Sequence, residues 1–450
     1  MKKSLLTIVL ATAAISALAT ATIEQRTVRQ RWPFSRTVDV DFVLSCDPSE
    51  TYDITPRFYD GETELTVEDV AISGDFNSVS DGAHRLTIDL SRSSLAGTES
   101  FTNFHVELSA VEPPLYMIVD MRKTGADANR VSYLTRTDIL SGQHGTYETD
   151  MTRLGISGCM LRNPIVWTGC TNDARFASSH FLFRRIEPGA FIAAGSGAST
   201  NNVFIHHAFW LSVFEFTHGQ YNTMVDGKTP GIPLTLSERR PHYNYSASSM
   251  RGSTNTVTGV NWPATGYDKV GGLIATFRSR TGIRFDLPTE AQWELAYRAG
   301  TVTKFHNGSD DNAAADLIGR HRDNGGYWDN GDGVNEPNWH PSYDQPTNPA
   351  EGYAPVGYYR PNAYGLYDMS GNIEEVCLDW RTSASSAAHL GADPSGPLQA
   401  AASSLHRVAR GGSAWHSPAD TGVTQRQGAG QDEASSLYGW RLAVIVEPTR

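Results

Sequence analysis

Residues 365–380 read GLYDMSGNIEEVCLDW. Three acidic side chains (Asp368, Glu374, Glu375) and one amide (Asn372) crowd into eight residues of it, among the large apolar groups Leu366, Tyr367, Met369, Ile373, Val376, Leu378 and Trp380. Ser370-Gly371-Asn372 is a turn signal, because Gly accepts positive φ and Asn tolerates it. A turn here bends the chain so that side-chain oxygens and backbone carbonyls converge. A hard cation such as calcium takes about six to eight oxygens of that kind. On these residues alone, a charged surface turn accounts for the same pattern.

Working outward, the upstream stretch Arg284–Ala299, RFDLPTEAQWELAYRA, predicts a helix capped by Thr289. Glu290 falls in its first turn, and Trp293, Leu295, Ala296 and Tyr297 supply the apolar positions. A second helix is expected with Val270, Leu273, Ile274 and Phe277 on one face, weakened by Gly271 and Gly272. Phe209–Val225 starts as an alternating strand and turns helical at Thr217, an N-cap, with Tyr221 and Val225 at i, i+4 spacing. Phe183–Ile192 reads as a hairpin turning at Pro188-Gly189. Residues 300–350 are polar and rich in Gly, Asn and Asp. A structureless stretch of that length is usually functional or ion-stapled.

Further back, short alternating runs recur at Val38–Leu44, Thr55–Tyr59, Arg85–Leu90 and Phe104–Leu108, separated by turn-rich pieces. They predict a β-sandwich of immunoglobulin or fibronectin type over 22–121, with Tyr116–Met121 as its last strand. Residues 122–180 show poor periodicity and read as a linker with short strands. At the start, Lys2 and Lys3 precede the apolar run Leu5–Ala19, with small residues at Ala17, Ala19 and Ala21. That is the pattern of a secretory signal peptide over 1–21, too short for a membrane span. Export to the periplasm, cell surface or medium is the expectation, with no membrane span after cleavage.

The chain has 450 residues, enough for two or three domains and a sizeable core. Its net charge of −12 is spread along the sequence, which argues against nucleic acid or an anionic membrane as partner. With 41 Gly, 10 Trp and only 19% charged residues, it reads as loop-rich and globular. The four cysteines are Cys46, Cys159, Cys170 and Cys377. Export permits disulfides, and Cys159 with Cys170 is the favoured pair of the possible ones. Nothing in their spacing suggests a zinc site.

Four phrases then stand in order: TGIRFDLPTEAQWELAYRAGT at 281–301, PVGYYRPNAYGLYDMSGNIEEVCLDW at 355–380, RVARGGSAW at 407–415 and GWRLA at 439–443. Before them come FRRIEPGAFIAAGS at 183–196, FWLSVFEFTHGQY at 209–221 and VTGVNWPAT at 257–265. Together they resemble the formylglycine-generating enzyme (sulfatase-modifying factor) family over 181–450. The resemblance implies an α+β fold related to C-type lectins, with little regular secondary structure and bound structural calcium. Carried over residue by residue, its GLYxxxGNxxEW motif implies calcium ligands at Asp368, the Gly371 and Ile373 carbonyls, and Glu375. Val376 stands where that motif has Trp. A second calcium site is implied within 320–348, where Asp323, Asn324, Asp329, Asn330 and Asp332 offer oxygens.

The family's enzymes bind copper(I) through two cysteines just after GGS, and soft thiolates are what copper(I) requires. Here that loop reads GGSAWHSPADTGVTQRQG at 411–428, with Trp415 and His416 near the first cysteine position and Ala419-Asp420 near the second. Both thiols are absent, and Cys377 lies on the calcium motif instead. Copper and formylglycine formation are therefore not expected. The leading reading is an exported binding protein for a protein or carbohydrate ligand, with Trp328, Trp339 and Trp415 as exposed anchors. The alternative is a metal-dependent oxidoreductase with an altered site, for which His406 and His416 are the catalytic candidates. His206 and His207 would point to opposite faces of a strand and share no metal. Arg410 and Arg441 are expected to anchor carbonyls or carboxylates.

Overall fold

A computed structural model of the chain describes residues 21–31, 35–48, 50–67, 71–97, 100–243, 245–251, 272–325, 328–329, 335–336, 352–383, 386–397 and 405–445. The leader read at 1–21, apart from Ala21, lies outside these residues, as do 257–265, Val270, Gly271, Asn330, Asp332, Trp339 and the side chains of Trp328 and Asp329. The fold is α+β, in two compact units that divide after Pro113.

The first unit is a pair of antiparallel sheets. One has four strands, in the order Thr22–Gln30, Thr37–Ser45, Gly82–Asp89 and Ile72–Gly74; the other has three, in the order Thr63–Leu65, Asp53–Asp60 and Phe104–Val111. The period-two pattern decides the faces. Val38, Val40, Phe42 and Leu44 enter the core with Leu86, Ile88, Ile54, Phe58 and Val106. The alternate residues Asp39 and Asp41 meet Arg31 and Arg85 instead.

The strand Pro114–Asp120 corrects the expected boundary. It pairs with His180–Ile186, Asp120 opposite His180 and Tyr116 opposite Arg184, and so belongs to the second unit. Its sheet runs Ala443–Ile445, Phe209–Ser212, His180–Ile186, Pro114–Asp120, Val131–Thr135. Both faces of this sheet are covered. Met117, Val119 and Met121 pack with Phe181, Phe183 and Trp210, whereas Tyr116 packs with Trp167 in the other core. Residues 122–180 are thus part of this unit: Leu134, Ile139, Ile165, Val166 and Phe176 are core residues.

The helix ends fall where the caps predict. Glu290–Arg298 starts with a capping box: Thr289 Oγ1 accepts the Gln292 N–H at 3.2 Å and Gln292 Oε1 accepts the Thr289 N–H at 2.9 Å. All nine of its residues are buried, so it is a core helix. His218–Met224 has the same box between Thr217 and Gln220. Gly272–Thr281 buries Ile274 and Phe277.

All four cysteines are free, which corrects the expected Cys159–Cys170 bridge. Cys159 Sγ faces the Ala299 carbonyl at 3.4 Å, just past the end of the core helix. Cys170 is buried in the turn Thr168–Asn172 and donates to the Trp167 carbonyl at 3.0 Å. Both lie at the same hydrophobic core, but each thiol faces a different backbone carbonyl. The melting temperature is therefore expected to be the same with and without reductant, and a drop of several degrees on reduction would overturn the free-thiol assignment.

Candidate functional site

A second sheet, in the order Arg426–Gly430, His406–Arg410, Glu374–Trp380 and Tyr438–Gly439, brings the opening stretch beside the GGS and GWR phrases. The turn before Glu374 is left-handed at Asp368 (φ 58°), Gly371 (φ 72°) and Asn372 (φ 59°). At Gly371 a Cβ would lie 2.0 Å from the Arg320 carbonyl oxygen, so only glycine fits. The turn is clamped on both sides. Gly371 N–H donates to the Gly411 carbonyl, Asn372 N–H to that of Arg320, and Ala414 N–H to that of Asn372, each at 2.8 Å.

Glu215 holds the turn from below. Its Oε2 accepts the Asn372 amide at 2.6 Å and its Oε1 faces the Ile373 N–H at 3.3 Å. This carboxylate was not singled out in the sequence, although it is the lone acid in the apolar run FWLSVFEF at 209–216. Glu375 is held otherwise. Its oxygens accept from Arg441 Nε at 2.9 Å twice, from Arg441 Nη2 at 2.6 Å and from Trp293 Nε1 at 2.6 Å. Arg441 is fully buried and also donates to the carbonyls of Ser212, Val213 and Tyr367. Arg410 similarly binds Glu294 at 2.6 Å and the Gln425 carbonyl.

Asp368 completes the cluster. Its Oδ2 accepts the Gly357 N–H at 2.7 Å, while its buried Oδ1 has no hydrogen-bond partner among the described residues. Burial pushes its pKa up to about 7, against the opposing Gly357 N–H and Arg441, with the Glu375 charge adding to the rise. Burial likewise drives Glu215 well above the usual carboxylate range, reinforced by Asp368 and Glu375. Were all three buried carboxylates ionised against Arg441 they would carry excess negative charge, which is why Asp368 and Glu215 favour their protons, and the orphaned Oδ1 is where a cation would take a proton's place. The Asp368 end of the expected calcium set thus fits a hard cation. The oxygens of Glu375, by contrast, already accept from a guanidinium and an indole N–H. Asp323 and Asn324 are held locally as well, the first by Arg322 and the second by His321 and Gly319.

The GGS loop is packed rather than open. Trp415 lies half-buried against Tyr353, Ile373 and Ala414. His416 Nδ1 accepts the Ser413 N–H at 3.1 Å, so the neutral ring carries its proton on Nε2, which faces the Glu374 carboxyl at 3.6 Å. Burial lowers the pKa of His416 and raises that of Glu374 to about 8. Burial thus favours the neutral form of both groups, and the Nδ1 lone pair of His416 is taken up by Ser413. His406 starts the strand His406–Arg410 and packs on Gly428. The four strand residues after it, Arg407–Arg410, roughly 3.3 Å each, separate it from the loop that carries His416, so the two candidates do not converge. Cys377 is fully buried, with burial raising its thiol far above the usual range. No pair of thiolates, the donors that copper(I) prefers, stands in this loop.

Glu290, Asp379 and His389 form a further buried group with metal-like spacing. Arg426 binds both oxygens of Glu290 at 2.6 and 2.9 Å, and Arg410 lies 3.5 Å away. Asp379 accepts the Glu290 N–H at 2.7 Å. Arg426 Nη2 also faces His389 Nε2 at 3.2 Å, which turns the Nδ1 proton towards the two carboxylates. Two carboxylates matched by two guanidiniums make an ion-pair network that pins the core helix.

A family model described as the sulfatase-modifying factor enzyme 1-like domain matches residues 181–446. The formylglycine-generating enzyme of Streptomyces coelicolor is 30% identical over 210 residues, covering 45% of this chain and 57% of that protein. That of Thermomonospora curvata is 35% identical over 130 residues, covering 28% and 37%. The chain thus spans 57% of the length of the first of these curated relatives and 37% of the second. Serine/threonine-protein kinase pkn1 of Chlamydia caviae is 23% identical over 331 residues, covering 70% and 47%. Among solved structures, Treponema denticola variable protein 1 aligns at 22% identity with a TM-score of 0.40, covering 60% of this chain and 96% of that one. No helix among the described residues is long and apolar enough to cross a membrane.

Proposed function

Because the chain belongs to the sulfatase-modifying factor enzyme 1-like family over residues 181–446, and its GGS loop carries neither thiol, we propose that this domain does not form formylglycine and acts in binding. The observation that carries the reading is the packed loop. Trp415 covers Tyr353, Ile373 and Ala414, and Ser413 engages the His416 Nδ1 lone pair through its N–H and hydroxyl. A scaffold can keep its fold while its site changes, since function lives in the site. The recognition surface is assigned to the loop 411–436, with a protein or carbohydrate ligand meeting the rim of Trp415. The proposal includes export through the leader at 1–21, and calcium at Asp368 with the Gly371 and Ile373 carbonyls. Glu375 becomes a fourth ligand only by releasing Arg441.

The test is direct. The purified protein, loaded with copper(I) and supplied with dioxygen and a cysteine peptide of the sulfatase type, is expected to yield no aldehyde product by mass spectrometry. Multiple turnovers would overturn the reading. Metal analysis provides the second arm: calcium alone is expected. Stoichiometric copper or iron lost in His416→Ala would restore the oxidoreductase reading.

A further inference from the structure

Beneath the strand Glu374–Trp380 lies a cavity of about 10 Å³, lined by Arg251, Leu287, Cys377, Leu378, Arg407 and Gln431. Room of that order holds one water-sized species. Arg407 is the unusual wall. It is 6% exposed, yet among the described residues it touches no carboxylate. Its Nε donates to Gln431 Oε1 at 2.9 Å, its Nη1 to the Leu378 carbonyl, and its guanidinium lies 3.5 Å over the Trp380 ring. These are neutral partners, and they leave a full positive charge inside the protein. The acids nearby are engaged elsewhere. Asp286 is bound to Arg251 at 2.6 and 2.9 Å and to Arg278 at 3.2 Å. Asp379 holds the Glu290 N–H and faces His389. Arg251, on the same cavity, is already ion-paired with Asp286.

A buried charge without a counter-charge is costly, and proteins pair or neutralise it. Water fits the space but brings no charge. A cation would add repulsion. Sulfate or phosphate is too large. We propose that the cavity between Arg407 and Arg251 holds one small monovalent inorganic anion of chloride size. The site belongs to the strand scaffold and stands apart from the binding surface. The Cys377 thiol, on the wall, can donate a weak hydrogen bond to a halide.

The experiment uses the full chain prepared in sodium gluconate without halide. Titration with chloride or bromide at constant ionic strength is expected to raise the melting temperature saturably, by about a few degrees, because a ligand of the native state adds stability by mass action. Sulfate should not reproduce the rise. Arg407→Met should abolish the halide dependence. In crystals grown in bromide, one anomalous peak should lie in the cavity against Arg407. A melting temperature that follows ionic strength alone, together with no bromide signal there at saturation, overturns the proposal. If Arg407→Met does not fold, the bromide signal in the unaltered chain decides it.

Discussion

Glu375→Ala is expected to cost about 3–5 kcal/mol or to prevent folding, whether or not calcium is present. The reason is what it leaves behind. Arg441 is fully buried, and Glu375 is the carboxylate that its Nε and Nη2 reach at 2.6 to 2.9 Å. Its remaining donors go to the neutral carbonyls of Ser212, Val213 and Tyr367. Alanine would leave a buried guanidinium without its counter-charge, and the Trp293 N–H without an acceptor. Glu375→Gln keeps an acceptor for Trp293 and should fall between the two. Replacing Glu375 and Arg441 together by leucine and methionine should recover part of the loss, since no unpaired charge remains. Chemical denaturation of the four proteins measures this. If Glu375→Ala loses stability only in calcium and matches the unaltered chain in chelator, Glu375 is a calcium ligand and the Arg441 pairing is secondary.

Asp368 gives the second large effect, with a definite sign. In the unfolded chain its pKa lies near 3.8, and in the folded cluster at about 7. The folded state therefore holds an extra proton between those values, and stability falls as pH rises from about 4 to about 7, then levels. The shift corresponds to about 4 kcal/mol. Glu374, raised to about 8, and Glu215 act in the same direction. Calcium favours the ionised carboxylate and so counters the loss at neutral pH. In EGTA, denaturation midpoints should decline across this window for the unaltered chain and decline less for Asp368→Asn. Adding calcium at pH 7.5 should raise the melting temperature of the first and leave the second unmoved. Equal responses of the two proteins to calcium would remove Asp368 from the site. This comparison separates calcium binding from ion pairing, which Glu375→Ala by itself does not.

Much of the arrangement is local and was readable from residues in a row. Thr289 and Gln292, three apart, form the capping box that starts the core helix. Ser370-Gly371-Asn372 makes the turn, because only glycine fits against the Arg320 carbonyl. The missing thiols at 411–428 are a plain fact of the sequence. What proved illegible depends on partners far away in the chain. Glu215 meets Asn372 across 157 residues, and Glu375 meets Arg441 across 66. A carboxylate looks the same in sequence whether a guanidinium or a cation will neutralise it. The strand Pro114–Asp120 carries an alternation that suits either sheet, and only the register with His180–Ile186 assigns it. Cys159 and Cys170 lie eleven positions apart and yet face different carbonyls, one past the end of the core helix and the other in the turn Thr168–Asn172.

The sequence by itself thus determined the family, the caps, the turn and the loss of the copper thiolates, since each is a matter of residue type at short spacing. The tertiary structure alone decided how the buried charges are neutralised. It places Arg441 on Glu375, leaves an oxygen of Asp368 without a partner among the described residues, and turns the His416 proton towards Glu374. The physical reason is that a buried charge answers to whatever the fold brings within about 3 Å, and that is a property of packing rather than of order along the chain.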